Sequence, residues 1–258
     1  MVLHRSGKDG DRDAVASLMV RACYIARVMA NLTGHHDLAW NALERELASA
    51  EMFGAPVEKA AAWDLCGAWL HAGALEEARN AAVTGLDQLD AYRGAGNPEL
   101  DSLWGALHLR AAVAYSRLWS TKDARAHVEQ ARRVVPVMGN VWQTQFNRPN
   151  LAIHEVEIAV ELGRPADVVT AAARVPVAEI DSGERLSHFW VCHARGLGMN
   201  GQNADSLAAL LEAERVADPH VINRPMAREL VSDLLTCARR GISPDLRRMA
   251  GLMGHPVG

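Results

Sequence analysis

Residues 73–78 read Gly-Ala-Leu-Glu-Glu-Ala, and four other segments repeat this pattern: a glycine or its substitute, polar residues, and a small residue five positions on. The other copies begin at Gly34, Trp119, Gly163 and Gly201, so successive copies lie 39, 46, 44 and 38 residues apart. Such a glycine ends a helix in the left-handed conformation, and the small residue lets two helices approach closely. The pattern therefore predicts five helix–turn–helix pairs in tandem.

Three copies depart from the pattern, each at one position. Trp119 stands where the other copies have glycine, and Val168 or Ser206 stands where they have alanine. Outside the turns, apolar residues recur with the helical period from Asp11 to Met253, and strand-like alternation is absent. One apolar stripe consists of Val15, Leu18, Met19, Ala22, Ala26 and Met29.

These patterns predict an all-α protein in which about a dozen helices, separated by Gly and Pro residues, stack as a right-handed α-solenoid. We expect a flexible N-terminus over residues 1–12, helical repeats over residues 13–222, and a C-terminal capping helix pair over residues 223–258, all in one domain. The composition, 49% hydrophobic and 22% charged, is typical of a globular protein.

Charge and apolar content argue against several classes of protein. The formal net charge of −4 gives no bulk attraction to nucleic acid or to an anionic membrane. No apolar stretch reaches about 18 residues, so no membrane span is expected, and the N-terminus does not resemble a secretory signal. We therefore expect a cytoplasmic protein outside the membrane. Its four separated cysteines, Cys23, Cys66, Cys192 and Cys237, are expected to be buried reduced thiols.

Several segments resemble known families. The repeated helix–turn–helix pattern is similar to the tetratricopeptide repeat. Its period is longer than the usual one of about 34 residues because the helices are longer. Asn150-Leu-Ala-Ile-His-Glu-Val-Glu-Ile-Ala-Val-Glu-Leu-Gly163, together with residues 209–217 and 228–235, resembles the ligand-sensing half of bacterial Xre-type transcriptional regulators that carry such repeats. The likeness covers residues 15–255. It implies a tetratricopeptide-like sensor module.

The resemblance departs from the family at its N-terminus. Xre-type regulators begin with a compact helix-turn-helix DNA-binding domain, whereas here only about a dozen polar residues precede the first long helix. The chain is then either the sensor part of a longer regulator or a stand-alone relative without DNA binding.

The first helix of each pair lines the concave face of such a solenoid, so candidate ligand contacts come from those helices. Predicted positions there mix apolar and polar groups, which suits a small amphipathic molecule or a short peptide. The predicted ligand-binding residues are Trp104, His108, Trp142, Phe146, Arg148, Asn150, His154, Glu157, His188 and Arg195.

The densest part of this set surrounds Pro149. Trp142, Phe146, Asn150 and His154 would share one face if a helix continued through Pro149. Alternatively, the proline stands in a kink or in the first turn of the next helix. In one interpretation the aromatic rings stack on a ligand whose polar head the polar groups hold. In the other, the rings are core and the histidine is a satisfied interior residue.

Several common motifs for catalysis or metal binding are absent from the sequence. It contains no HxxxH pair, no GxSxG and no P-loop, and we expect no metal and no cofactor. Cys192 and His193 are neighbours and therefore point about 100° apart on a helix. These absences favour a binding protein over an enzyme.

Two further alternatives concern partners. Arg239, Arg240, Arg247 and Arg248 near the C-terminus suggest DNA contact, but basic residues at helix ends are also favoured by the helix dipole, so DNA binding by this chain alone is not expected. A protein–protein scaffold is the main alternative to a ligand sensor, followed by an enzyme that has co-opted the groove. A homodimer is left open.

Overall fold

The computed structural model describes residues 9–52, 54, 57–92, 97–135, 140–238 and 241–256. These residues form twelve α-helices and no strand, which confirms the all-α prediction. The helices are α1 (Asp9–Leu32), α2 (His36–Glu51), α3 (Val57–Ala72), α4 (Leu75–Asp90), α5 (Pro98–Arg117), α6 (Thr121–Val134), α7 (Arg148–Glu161), α8 (Pro165–Ala172), α9 (Gly183–Met199), α10 (Asn203–Ile222), α11 (Pro225–Cys237) and α12 (Pro244–Leu252).

Two sequence predictions concern segments that the structure describes only in part. Helix α1 begins at Asp9, so the helical region starts within the N-terminal segment 1–12 that was expected to be flexible. Residues 1–8 of that segment lie outside the described residues, as do Arg239 and Arg240 of the basic C-terminal group.

All five repeated turns have the predicted backbone conformation. The first residue of each turn is left-handed: φ is +80° at Gly34, +74° at Gly73, +61° at Trp119, +65° at Gly163 and +75° at Gly201. The residue that follows donates its N–H to the carbonyl five positions back, as Ala74 N does to Trp69 O at 3.0 Å. This bond is that of the Schellman motif, which satisfies a carbonyl at the helix end. The turns therefore end five helices by one mechanism.

The small position five residues later is buried in every copy, at Ala39, Ala78, Ala124, Val168 and Ser206. Glycines of α9 accommodate the two larger members. A Cβ atom at Gly196 would overlap the side chain of Val168, and one at Gly198 would lie 3.3 Å from Ser206 Oγ. Ser206 Oγ also donates to Ala194 O at 2.8 Å. Each departure from alanine is thus matched by a glycine on the facing helix.

Contacts divide the chain into two compact units, Met1–Asn31 with His35–Arg148, and Leu32–Gly34 with Pro149–Gly258. In the first unit α3 packs against α2, α4 and α5, and α5 packs against α6. In the second unit α9 packs against α8, α10 and α11, and α11 packs against α12. Most of these contacts join helices that are neighbours in the chain, and three join a helix to the next but one: α3 to α5, α9 to α11 and α10 to α12.

Helix α1 buries a narrow face and exposes much of its apolar stripe. Ala16, Val20 and Cys23 are buried, whereas Leu18 is 67% exposed and Met29 is 53% exposed. By length and composition alone this helix could cross a membrane: an 18-residue window of Ala14–Leu32 has a mean hydropathy of 1.3, and 17% of that window is buried. This finding differs from the expectation that no apolar stretch is long enough to span a membrane; Arg21 and Arg27 interrupt the apolar residues of the helix.

The cysteine prediction is right for three residues and wrong for one. All four thiols are free, and Cys23, Cys66 and Cys192 are buried. Cys237 is exposed at the last residue of α11.

Candidate functional site

The ten predicted ligand contacts are distributed over both units. Trp104, His108, Trp142, Phe146 and Arg148 belong to the first unit. Asn150, His154, Glu157, His188 and Arg195 belong to the second unit.

Trp104 and His108 form the predicted pair one turn apart on α5. Their ring centroids lie 4.0 Å apart with the rings edge to face. The polar atoms have protein partners: Trp104 Nε1 donates to Asp90 Oδ1 at 2.9 Å, and His108 Nδ1 lies 2.7 Å from His127 Nδ1. His127 and Asp90 were not predicted as partners, because they lie on α6 and α4 and no motif connects them to α5.

The two imidazoles share a proton. A hydrogen bond between two Nδ1 atoms requires one ring to donate and the other to accept, so both cannot carry a proton on that nitrogen. His127 is stacked on Tyr115 with centroids 5.1 Å apart. Burial lowers the pKa of His127, and the charge of Asp123 opposes this effect. In the described part of the chain no group of three or more His, Cys, Asp or Glu side chains is arranged to hold a metal ion.

The segment before α7 does not continue that helix. Val141–Gln143 forms a 3₁₀ turn, and α7 begins at Arg148 with Pro149 in its first turn. Of the alternatives that the sequence left open, the structure therefore shows the helix start. Phe146 is buried, and its ring occupies the space where a Cβ atom at Gly105 of α5 would lie. Phe146 is consequently a core residue of the first unit.

Trp142 lies in a strained stretch of backbone. Trp142, Gln143 and Gln145 have φ values of +51°, +60° and +51°, a region that residues other than glycine seldom adopt. The Arg21 guanidinium lies 4.7 Å from the Trp142 ring centroid. The indole Nε1 is buried and has no acceptor among the described residues. Such strain is concentrated at functional sites, so this segment stays a candidate for ligand contact. Arg148 is exposed at the start of α7.

In the second unit, three predicted residues line one buried face of α7. Asn150, His154 and Glu157 follow one another at helical spacing, and all three are buried. His154 Nδ1 donates to the Asn150 carbonyl oxygen at 2.8 Å, which fixes the orientation of the ring.

Glu157 joins α7 to α9 through a second histidine. His188 Nε2 donates to Glu157 Oε2 at 3.0 Å, and both side chains are buried. Burial is the main cause that holds the pKa of His188 well below its usual value, and the charges of Arg224 and Arg185 lower it further. The ring is therefore neutral, with its proton on Nε2, and its Nδ1 is an acceptor without a donor among the described residues.

A second pair of side chains, Arg195 and Glu161, also joins α9 to α7. Arg195 Nη1 donates to Glu161 Oε1 at 2.9 Å, and the same nitrogen lies 3.0 Å from Met226 Sδ at the start of α11. Cys192 Sγ lies 3.8 Å from His188 Nε2, but burial raises the pKa of this thiol to about 12. The thiol is protonated and does not serve as a nucleophile at neutral pH.

Two residues that the sequence did not predict lie beside His188. Arg185 stands in the first turn of α9, one turn before His188, and Arg224 is the buried residue that precedes α11. Burial lowers the pKa of Arg224. Only the spacing of Arg185 and His188 at i and i+3 could have indicated the first of them.

An open cleft of about 680 Å³ lies elsewhere in the second unit. It is lined by the turn before α10 and by the end of α11, including Gln202, Asp205 and Cys237. None of the ten predicted residues lines it.

No family model, no curated protein and no solved structure matches this chain. The resemblance to Xre-type regulators remains a prediction from the quoted segments.

Proposed function

We propose that this chain is a tetratricopeptide-like helical-repeat module that binds a small molecule or a short peptide along the first helices of its pairs. Five turns with the same left-handed residue and the same closing bond support a repeated architecture. In such an architecture the first helices line one face, on which ligands are bound.

The observation that carries the proposal is the distribution of buried polar side chains. Among the described residues, Glu46 is the only buried charged, histidine or amide side chain that lies on the second helix of a pair. The others lie on, or directly precede, first helices: Arg27, Lys59, Asp64, His108, Asn150, His154, Glu157, His188 and Arg224. Burying such groups is unfavourable unless each is paired, so their concentration on one set of helices favours a binding role over packing.

By resemblance, the module is the sensor part of a transcriptional regulator or a stand-alone relative. A ligand that binds one arrangement of the repeats better than another shifts the protein toward that arrangement. The curvature of the repeats or a dimer interface would then report the ligand. The homodimer, the cytoplasmic location and the lack of DNA contact by this chain remain predictions.

Native mass spectrometry of the protein isolated from its own host tests the proposal. We expect a retained ligand of a few hundred daltons or a short peptide on the wild type. Glu157→Gln keeps the shape of the side chain but removes the charge that holds His188, so the retained ligand should decrease by about tenfold or more. Glu155→Gln, two residues away on the same helix, is the matched control and should retain the ligand.

Other outcomes would contradict this function. A bare mass together with a co-purified protein would favour the scaffold alternative. Equal retention by the wild type and Glu157→Gln would place the ligand away from the buried polar face of α7.

A further inference from the structure

Arg185 presents an edge of its guanidinium that has no acceptor. Its Nε and Nη2 atoms are buried, and neither has a hydrogen-bond partner among the described residues. The third nitrogen, Nη1, lies 3.8 Å from Glu184 Oε1 and forms an ion pair there. The side chain as a whole is 17% exposed, so it lies at the boundary between the interior of the second unit and solvent.

The same edge of another arginine shows what it binds. Arg27 uses its Nε and Nη2 atoms together to donate to the two carboxylate oxygens of Asp64. This parallel pair of bonds is the geometry in which guanidinium groups recognise carboxylates. Arg185 presents the same pair of donors, and no described carboxylate fills them.

A second unsatisfied group stands one turn along the same helix. Residues at i and i+3 of a helix are neighbours on its surface, so Arg185 and His188 adjoin each other. The neutral His188 ring, with its proton directed to Glu157, offers the Nδ1 lone pair to a donor. Arg224 adds a buried positive charge on the α11 side, while Glu157 and Glu184 are the carboxylates nearest to this group. The positive charges favour an anion, and the lone pair favours a donor beside it.

We propose that the start of α9 binds a carboxylate ligand that carries a neighbouring hydroxyl or amino group. The carboxylate accepts two bonds from Arg185 Nε and Nη2, and the hydroxyl or amino group donates to His188 Nδ1. This inference rests on the proposed function and names the ligand class of the same site.

A buried donor without an acceptor destabilises the free protein, because it has lost its bonds to water. A residue kept for binding therefore lowers the stability of the ligand-free state. Arg185→Met should raise the melting temperature of the ligand-free protein by about 2–4 °C. If Arg185 instead stabilised the fold, Arg185→Met would lower the melting temperature. Arg174→Gln, at an exposed position of the same unit, should leave the melting temperature unchanged.

Titration with malate, a 2-hydroxy dicarboxylate, tests the ligand class directly. Succinate is its counterpart without the hydroxyl group. We follow the Nε–H resonance of Arg185 by NMR and assign it by its loss in Arg185→Lys, which keeps the charge but not the pair of donors. Malate should shift this resonance and bind about tenfold or more tightly to the wild type than to Arg185→Lys. Succinate should bind more weakly than malate, because it has no hydroxyl group to donate to His188 Nδ1.

If neither malate nor succinate shifts the Arg185 resonance, the inference is overturned. Water alone would then accept the hydrogen bonds of Arg185 Nε and Nη2. Equal affinity for the two acids would overturn the role of His188. A ligand that the protein retains from its host and that Arg185→Met still binds would overturn this site while leaving the proposed function intact. A protein that retains no ligand at all would overturn the proposed function instead.

Discussion

Three ionisable side chains from three helices form a buried group in the first unit. Arg27 of α1 donates to Asp64 of α3, and Glu46 of α2 is hydrogen-bonded to the same carboxylate. All three are buried. Burial, together with the charge of Asp64, raises the pKa of Glu46 to about 10. Glu46 is therefore protonated at neutral pH, and the group as a whole carries no net charge, which makes its burial tolerable.

The raised pKa of Glu46 predicts how stability depends on pH. Between its ordinary pKa of 4.5 and about 10, the folded state holds a proton that the unfolded state has released. The free energy of unfolding therefore falls as the pH rises through this window. Glu46→Gln, which resembles the protonated acid, should flatten the profile and stabilise the protein at pH 9 by about 1 kcal/mol or more.

Urea denaturation of the wild type and the variant at pH 5, 7 and 9 provides the measurement. Glu44→Gln, at an exposed position of the same helix, is the control and should follow the wild type. A variant whose stability falls with pH as steeply as that of the wild type would show that Glu46 is ionised in the folded protein.

At the level of helices, the turn pattern specifies where helix pairs form. Glycines of α9 then let the neighbouring helices α8 and α10 pack closely against it. Val168 occupies a position where other turns have alanine, and Gly196 leaves the space that its branched side chain needs.

Gly196→Ala should destabilise the protein by about 2 kcal/mol, because the added methyl group overlaps Val168 in a close-packed interior. Val168→Ala should also destabilise it, by about 1–2 kcal/mol, through the cavity that it leaves. In the double variant the new methyl group fills that cavity, so the double-mutant cycle should show a favourable coupling of about 1 kcal/mol or more.

Gly251→Ala is the control, since a Cβ atom there meets nothing within 4 Å inside helix α12. It should stabilise the protein by up to about 1 kcal/mol through helix propensity alone. Additive effects of the Gly196 and Val168 changes would contradict the packing of α8 against α9.

At the scale of the whole molecule, burial divides the cysteines into two classes. Cys23, Cys66 and Cys192 are buried, and burial raises the pKa of Cys66 and of Cys192 to about 12. Cys237 is exposed. A thiol reacts as its thiolate, so reactivity requires both access and ionisation.

Ellman's reagent should therefore titrate one thiol of the native protein promptly and the remaining three only after unfolding. Cys237→Ser should remove the prompt reaction without changing the slow one. Prompt reaction of two or more thiols in the native protein would contradict the packing of the helices that bury them.

Much of the architecture could be predicted because it depends on local chemistry. The left-handed residue at each turn, the buried small residue after it and the helical class follow from short-range sequence patterns, and even Trp119 was identified as a glycine substitute. The spacing of Trp104 and His108 on α5, and the shared face of Asn150, His154 and Glu157 on α7, are equally local.

The partners of those residues were not predictable, because they come from other helices. His127 meets His108 across a separation of 19 residues, and His188 meets Glu157 across 31. The unfilled edge of Arg185 and the raised pKa of Glu46 exist only where several helices together exclude water. A sequence pattern specifies where a helix ends and which residues share one of its faces. The burial of a side chain depends instead on which other helices pack over it. For this reason the repeats could be identified from the sequence, and the chemistry between them required the folded structure.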